Sequence, residues 1–237
     1  TLFRSRHKKS NKRMVRYVTR HNNDELYEMM NSLLPIEVEK IQGFDDWIGA
    51  VKYLEHILES ETKLVVKIDL DCFIFDWSVV EELIKDMNDC NLGYTHCGAS
   101  DASIKGRENS SWVVMNPFFN VFDIGSIPTI NFEKAYHEGY RSEWNNDIEF
   151  YLPNFKMEAY KQPFTEPFNG LFNTLFLYGN PLFLKTREHE DGISVVLMYK
   201  DKEFALHSWY SREFNFDEFH RERILNLYQE ALDKKNK

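Results

Sequence analysis

Two aspartates, Asp69 and Asp71, directly follow the β-branched run Leu-Val-Val-Lys-Ile, which is typical of a strand buried on both faces. Side chains two positions apart on a strand point to the same side, so the two carboxylates would repel each other unless a cation joined them. Oxygen ligands of this kind suit Mg²⁺ or Mn²⁺, and both ions commonly bind substrate phosphates at the same time. The pattern predicts a divalent metal site at the end of this strand. Capping and structural hydrogen bonds are the alternative, since chance alone gives about one D-x-D triplet in such a chain.

Strand and helix patterns alternate along the first part of the chain. Three segments have the composition of strands: 14–19, 36–41 and 64–68. Three have helical patterns: one opened by a capping box of Asn22 and Glu25 and stopped by Pro35, one over 45–59, and one opened by Ser78 and Glu81. This order predicts an α/β fold with a mainly parallel central sheet and helices on both faces. Open sheets of this kind bind ligands beyond the carboxyl ends of their strands, where the two aspartates are expected.

The second half of the chain has a different pattern, which we expect to be of mixed structure. Residues 93–111 are polar and rich in turn formers, and two short apolar runs follow at 112–115 and 118–122. A helix is expected over 143–152, and the aromatic stretch 153–190 has no clear assignment. Residues 193–199 and 203–206 read as a hairpin, and a terminal helix is expected from Asp217.

The stretch from Asp45 to Met87 resembles the D-x-D core of the GT-A nucleotide-sugar glycosyltransferases, and about 45 residues match in pattern. The resemblance implies a GT-A-like fold in which Asp69 and Asp71 hold a metal, usually Mn²⁺, that grips the nucleotide diphosphate, while Asp69 also contacts the nucleotide sugar. A histidine near the carboxyl end often completes the metal shell in that family, and His207 ends a predicted strand at a suitable distance. An imidazole ligand would favour Mn²⁺ over Mg²⁺.

Further donor contacts follow from the same resemblance. Thr19 and Arg20, after the first strand, are expected near the nucleotide, and Arg107 belongs to a loop, residues 93–109, that could close over the donor. Arg212 could pair with a diphosphate oxygen. The alternatives are a plain surface loop at 93–109 and a surface ion pair for Arg212.

An inverting transferase also needs a carboxylate that takes the proton from the acceptor hydroxyl. Glu143, Asp147 and Glu149 are the candidates, Asp147 being preferred; a solvated helix face is the alternative, and a retaining enzyme would not need this base. The sequence thus predicts a nucleotide-sugar-binding half, 14–125, and an acceptor-binding half, 126–237. The expected reaction moves a sugar from a nucleotide-diphosphate sugar to a glycan, protein or small-molecule acceptor.

The charge distribution and the cysteine content limit the classes of binding partner and the cellular location to be expected. The 237 residues carry a net charge of −9, yet residues 1–16 hold seven basic side chains and no acidic one. The rest of the chain is strongly acidic, which disfavours nucleic-acid binding. The basic arm, 1–13, is expected to be a solvated lead-in, a contact with an anionic membrane surface or partner, or a phosphate contact. Three cysteines argue against a disulfide framework and for an intracellular, cytoplasmic location.

Three rival functions share the same residues. The segment from Asp69 to Asp76 also resembles the nucleophile motif of haloacid-dehalogenase-like phosphatases, but Phe73 stands where that motif has a hydroxyl. A lesion-bypass polymerase opens with similar residues, but there they start the chain and the body is not acidic. A binding module for sugar or protein, with a degenerate glycosyltransferase core, is the third alternative.

Overall fold

The computed structural model describes residues 15–44, 49–108, 110–127 and 168–237. Within these ranges the chain forms nine strands: β1 Val15–Arg20, β2 Glu39–Ile41, β3 Leu64–Ile68, β4 Cys72–Ile74, β5 His96–Ser100, β6 Met115–Asp123, β7 Pro181–Glu188, β8 Val195–Tyr199 and β9 Lys202–His207. The same ranges hold five α-helices: α1 Asp24–Ser32, α2 Gly49–Leu58, α3 Trp77–Asn88, α4 Asn169–Tyr178 and α5 Glu218–Lys235.

The strands form one mixed sheet in the order β2-β1-β3-β6-β5-β7-β8-β9-β4. β1 is parallel to β2 and β3, and β5 is parallel to β7, whereas the other five pairs are antiparallel. The predicted GT-A-like α/β class with a mainly parallel central sheet is therefore wrong. The cause lies in the later strands. β6 lies antiparallel between β3 and β5, and the connections from β7 to β8 and from β8 to β9 are too short for parallel crossovers.

The strand before the two aspartates occupies the predicted residues, but both helix starts differ from the predictions. Asn23, not Asn22, caps α1 and accepts a hydrogen bond from the Leu26 amide at 3.0 Å. Asp76, not Ser78, caps α3 and accepts from the Ser78 amide at 3.0 Å. In each case the capping residue is the one with extended backbone before the first turn.

β5 and β6 lie in the middle of the sheet and correct two further expectations. β6 contains Pro117 and the whole of the second apolar run but only Met115 of the first, and a register shift between Gly98 and Ser100 accommodates the irregularity. Gly98 belongs to β5 and not to a loop over the donor; a Cβ there would lie 2.3 Å from Nδ2 of Asn120, so the strand pair needs glycine.

The carboxyl-terminal elements agree closely with the predicted pattern. β8 and β9 form the expected hairpin, and Lys200 and Asp201 make its turn with positive φ angles of 47° and 63°. Asp217 caps α5 by accepting from the His220 amide at 2.8 Å. α4 and β7 lie in the stretch 153–190 that the sequence left unassigned, whereas the expected helix over 143–152 lies outside the described residues.

Two hydrophobic clusters cover the two faces of the sheet. One contains buried residues of α1, α3 and α5, and the other contains buried residues of α2 and α4. β3 contributes to both, since Val66 and Ile68 pack in the first cluster and Val65 packs in the second. By this alternation, Lys67 and Asp69 project to the side of α2 and α4.

All three cysteines carry free thiols, two of them in the core. None of the described helices combines the length and apolar character needed to cross a membrane. The division into a donor half and an acceptor half stays a prediction, and the basic arm, 1–13, lies outside the described residues.

Candidate metal centre

The three predicted metal ligands meet where β3, β4 and β9 come together. Asp69 and Asp71 lie in the turn between β3 and β4, and His207 ends β9. β4 and β9 are antiparallel with Cys72 opposite His207, which places the imidazole beside Asp71. One ligand atom from each of the three side chains lies within 4.8 Å of the others.

Backbone hydrogen bonds hold the turn that carries the two carboxylates. The Asp69 amide donates to the Phe118 carbonyl on β6 at 2.8 Å, and the Cys72 amide donates to the Asp69 carbonyl at 3.1 Å. The Ser208 amide donates to the Asp71 carbonyl at 3.0 Å. The turn is therefore fixed on both sides, by a strand of the central sheet and by the residue that follows β9.

Asp71 is a buried carboxylate with polar partners, only 3% exposed. Its Oδ2 accepts from the Ser208 hydroxyl at 3.2 Å, and its Oδ1 lies 3.4 Å from Nε2 of His207. Burial raises the pKa of Asp71, but the opposing effects of His207 and Ser208 prevail and the pKa lies below its usual range. Asp71 is thus kept ionised, as a metal ligand must be.

The His207 ring is positioned by packing. It stacks on Phe118 with ring centroids 4.3 Å apart, and the Trp209 indole meets it edge-on at 4.5 Å. Nδ1 is buried and has no hydrogen-bond partner among the described residues. The two aromatic neighbours fix the plane of the ring, and Nε2 faces Asp71 as a result.

Asp69 is the more accessible acid, with 28% of its side chain exposed. Its Oδ1 accepts from the Lys67 ammonium group at 2.5 Å, and Lys67 is itself buried. Burial lowers the pKa of Lys67, while the charge and hydrogen bond of Asp69 act in the opposite direction. One of the two acids is thus already paired with a cation.

An open cleft of about 790 Å³ lies in front of the cluster. Both aspartates and His207 line it, together with four cationic side chains: Arg20, Lys105, Arg107 and Arg212. Phe168, Trp209 and Tyr210 add an aromatic lining. Carboxylates with one imidazole form a donor set that fits a divalent cation such as Mn²⁺ or Mg²⁺, and the basic residues suit an anionic ligand.

Of the two residues at the end of β1 that were predicted to contact the nucleotide, only one lines the cleft. Arg20 lines the cleft, and its guanidinium donates to the Phe44 carbonyl at 3.4 Å. Thr19 is fully buried and does not line the cleft, because consecutive strand residues face opposite sides.

Arg107 and Arg212 both reach the cleft, from different loops. Arg107 pairs with Asp101 at 2.9 Å and lies over the Trp209 ring, 4.9 Å from its centroid. Asp101 also accepts from Nδ2 of the Asn116 side chain at 2.8 Å, so this loop is tied to the sheet. Arg212 is exposed and follows β9 by five residues. The predicted bases Asp147 and Glu149 lie outside the described residues.

A strained turn beside Asp69, Asp71 and His207 was not predicted from the sequence. Trp209 and Tyr210 have φ angles of 58° and 61°, which bulky residues rarely adopt. Arg223, buried on α5, donates to the Ser208 carbonyl at 2.5 Å and to the Trp209 carbonyl at 2.9 Å. This guanidinium holds the turn that connects His207 to the aromatic lining, and no local sequence signal marks it.

No protein-family model matches the chain, and a search of curated proteins finds no match.

Proposed function

We propose that this protein is a metal-dependent glycosyltransferase that moves a sugar from a nucleotide-diphosphate sugar to a glycan, protein or small-molecule acceptor. The observation that carries the proposal is the convergence of Asp69, Asp71 and His207 at the wall of an open cleft that four cationic side chains also line. The sheet is not the one that the family resemblance implied, so the proposal rests on the site and on the D-x-D segment.

The charges of the cleft suit this reaction. When a sugar leaves a nucleotide diphosphate, negative charge grows on the departing phosphates while the sugar becomes oxocarbenium-like. A bound Mn²⁺ or Mg²⁺ supplies Lewis-acid stabilisation of that leaving group. Arg20 and Arg212 line the same cleft and can donate to phosphate oxygens.

The protein residues have separate tasks in this proposal. Asp71 and His207 bind the metal, and the Ser208 hydroxyl keeps the Asp71 carboxylate oriented. Asp69 is accessible enough to contact the metal or the nucleotide sugar. Asp147 and Glu149 stay predictions for the base that deprotonates the acceptor.

A thermal-shift screen of UDP- and GDP-sugars, with and without Mn²⁺, tests the proposal. We expect stabilisation only when a nucleotide sugar and Mn²⁺ are both present. A response limited to phosphate analogues such as beryllofluoride with Mg²⁺ would indicate a phosphatase instead. No response to any combination would leave a binding module.

The variant Asp71→Asn makes the screen specific to the cluster. It keeps the size of the side chain but removes its charge, so we expect the joint stabilisation to vanish. The variant should still fold, with a lower unfolding temperature without ligand, because the lowered pKa of Asp71 means that its charge stabilises the folded state. Asp201→Asn is a matched control, because Asp201 is an exposed acid at the opposite end of β9 from His207. Wild-type binding by Asp71→Asn would refute the assignment.

A further inference from the structure

Lys67 is a buried cation in direct contact with the metal cluster. Only 3% of its side chain is exposed, and its ammonium group donates to Oδ1 of Asp69 at 2.5 Å. The ammonium group also lies 6.0 Å from the centre of the Tyr53 ring on α2. A charged group in such a place is costly unless a partner compensates it, and Asp69 is the carboxylate that pairs with it in the described part of the chain.

The pairing follows from strand geometry. Lys67 lies in β3 and Asp69 directly follows that strand, so the two residues are two positions apart and project to the same side of the sheet. The Asp69 amide is itself fixed to the Phe118 carbonyl. With its backbone held by β6 and one carboxylate oxygen held by the ammonium group, Asp69 has little freedom to turn, and Lys67 leaves its other oxygen unengaged.

The ammonium group of Lys67 makes the charge of the candidate metal site less negative. Asp69 and Asp71 carry two negative charges, and Lys67 cancels one of them. A divalent cation that binds here therefore meets a net charge of −1 from these three side chains. It is also repelled by the ammonium group that contacts one of its ligands. Bound phosphates would supply the missing negative charge, and linkage requires that the metal then strengthen phosphate binding by the same factor.

We propose that Lys67 is a positioning residue that makes binding of the divalent metal depend on a phosphorylated ligand, by neutralising Asp69 and fixing its orientation. The inference rests on the proposed function for the identity of that ligand, a nucleotide diphosphate. The effect of Lys67 on the metal alone does not depend on that identity.

Isothermal titration of the full chain with Mn²⁺ alone, with Mn²⁺ plus UDP and with Mn²⁺ plus pyrophosphate tests this. Lys67→Met removes the charge in a side chain of similar length that suits a buried strand. We expect Mn²⁺ alone to bind this variant about tenfold more tightly than the wild type, and the enhancement by UDP to shrink by a similar factor. A purely structural role predicts the opposite, because a disturbed site binds metal more weakly.

Two further variants separate charge from packing. Lys67→Gln removes the charge but can still donate to Asp69, so it should also bind Mn²⁺ alone more tightly, and it replaces Lys67→Met if that variant fails to fold. Lys63→Met is the matched control, because Lys63 precedes β3 and lies 3.9 Å from Asp123 at the other end of the strand. Its Mn²⁺ affinity should equal that of the wild type.

The outcomes distinguish this inference from the proposed function. Unchanged or weaker Mn²⁺ binding by both Lys67 variants would overturn the role of Lys67. If pyrophosphate enhances Mn²⁺ binding but UDP does not, the role of Lys67 holds and the nucleotide-sugar proposal fails. If neither anion enhances Mn²⁺ binding to the wild type, the inferred cooperativity is refuted.

Discussion

His96 should make the stability of this protein strongly dependent on pH. It is the first residue of β5, in the middle of the sheet, and it is fully buried. Its Nδ1 lies 2.9 Å from the Thr95 hydroxyl, and its Nε2 has no hydrogen-bond partner in the described ranges. Burial lowers the pKa of His96 to about 3, so the folded protein keeps this imidazole neutral well into the acidic range.

The size of the effect follows from linkage. In the unfolded chain a histidine has a pKa of about 6.5, so below that pH His96 binds a proton in the unfolded state but not in the folded state. The free energy of unfolding then falls by about 1.4 kcal/mol for each pH unit, from about pH 6.5 down to the folded pKa of about 3. Between pH 7 and pH 5, His96 alone should lower the stability by about 2 kcal/mol.

Urea unfolding of the wild type and of His96→Leu at pH 7 and pH 5 measures this contribution. Leucine is close to histidine in volume and cannot titrate, and the Thr95 hydroxyl keeps the Asn180 carbonyl as a partner at 3.3 Å. Any packing defect lowers stability equally at both pH values and cancels in the difference. The variant should lose about 2 kcal/mol less than the wild type between the two pH values. Equal losses in the two proteins would refute the reasoning.

Two predictions concern the candidate metal ligands and the turn beside them. Arg223→Lys keeps the charge but loses the planar guanidinium that binds two adjacent carbonyls, so its free energy of unfolding, measured in urea, should fall by about 2 kcal/mol. Arg221 forms an exposed ion pair on the same helix, and Arg221→Lys should lower that free energy by about 0.5 kcal/mol or less. Equal effects of the two variants would contradict a special role for Arg223. His207→Ala should weaken Mn²⁺ binding less than Asp71→Asn does and lower the preference for Mn²⁺ over Mg²⁺, since an imidazole ligand is lost; titration with both ions checks this, and an unchanged ratio would exclude His207 as a ligand.

Local patterns predicted the strand that carries the two acids because the information lies within a few residues. A β-branched run followed at once by two aspartates specifies both the strand and the point where it ends. The same holds for the hairpin of β8 and β9 and for the cap of α5 at Asp217. His207 was singled out by the family resemblance, and the antiparallel pairing of β4 with β9 is what brings it to Asp71.

The sheet order could not be predicted in the same way. Alternating strands and helices in the first half favoured parallel neighbours, and β1, β2 and β3 are indeed parallel. The next neighbour of β3 is β6, which comes almost fifty residues later and runs in the opposite direction. The residues of β6 alone do not specify its direction or its neighbouring strands, because these depend on contacts between distant parts of the chain.

The strained turn at Trp209 and Tyr210 contradicts the conformations that these residue types prefer. Left-handed backbone costs about 1–3 kcal/mol for each such residue, and it persists where surrounding contacts enforce it. Here the buried Arg223 binds the carbonyls of Ser208 and Trp209. Local preference therefore fails at a place where packing from α5 prevails and where the aromatic residues line the cleft.

Lys67 is a different kind of case, because its signal was present in the sequence. A single charged residue inside a strand buried on both faces must find a partner, and the nearest acidic residue on the same face is Asp69. The observed contact between them follows from those two facts alone. Under the proposed function, the two carboxylate ligands and the residue that limits metal binding lie within five consecutive positions, 67–71, whereas the third ligand, His207, comes from β9. Changing Lys67 should therefore alter metal affinity without altering any ligand.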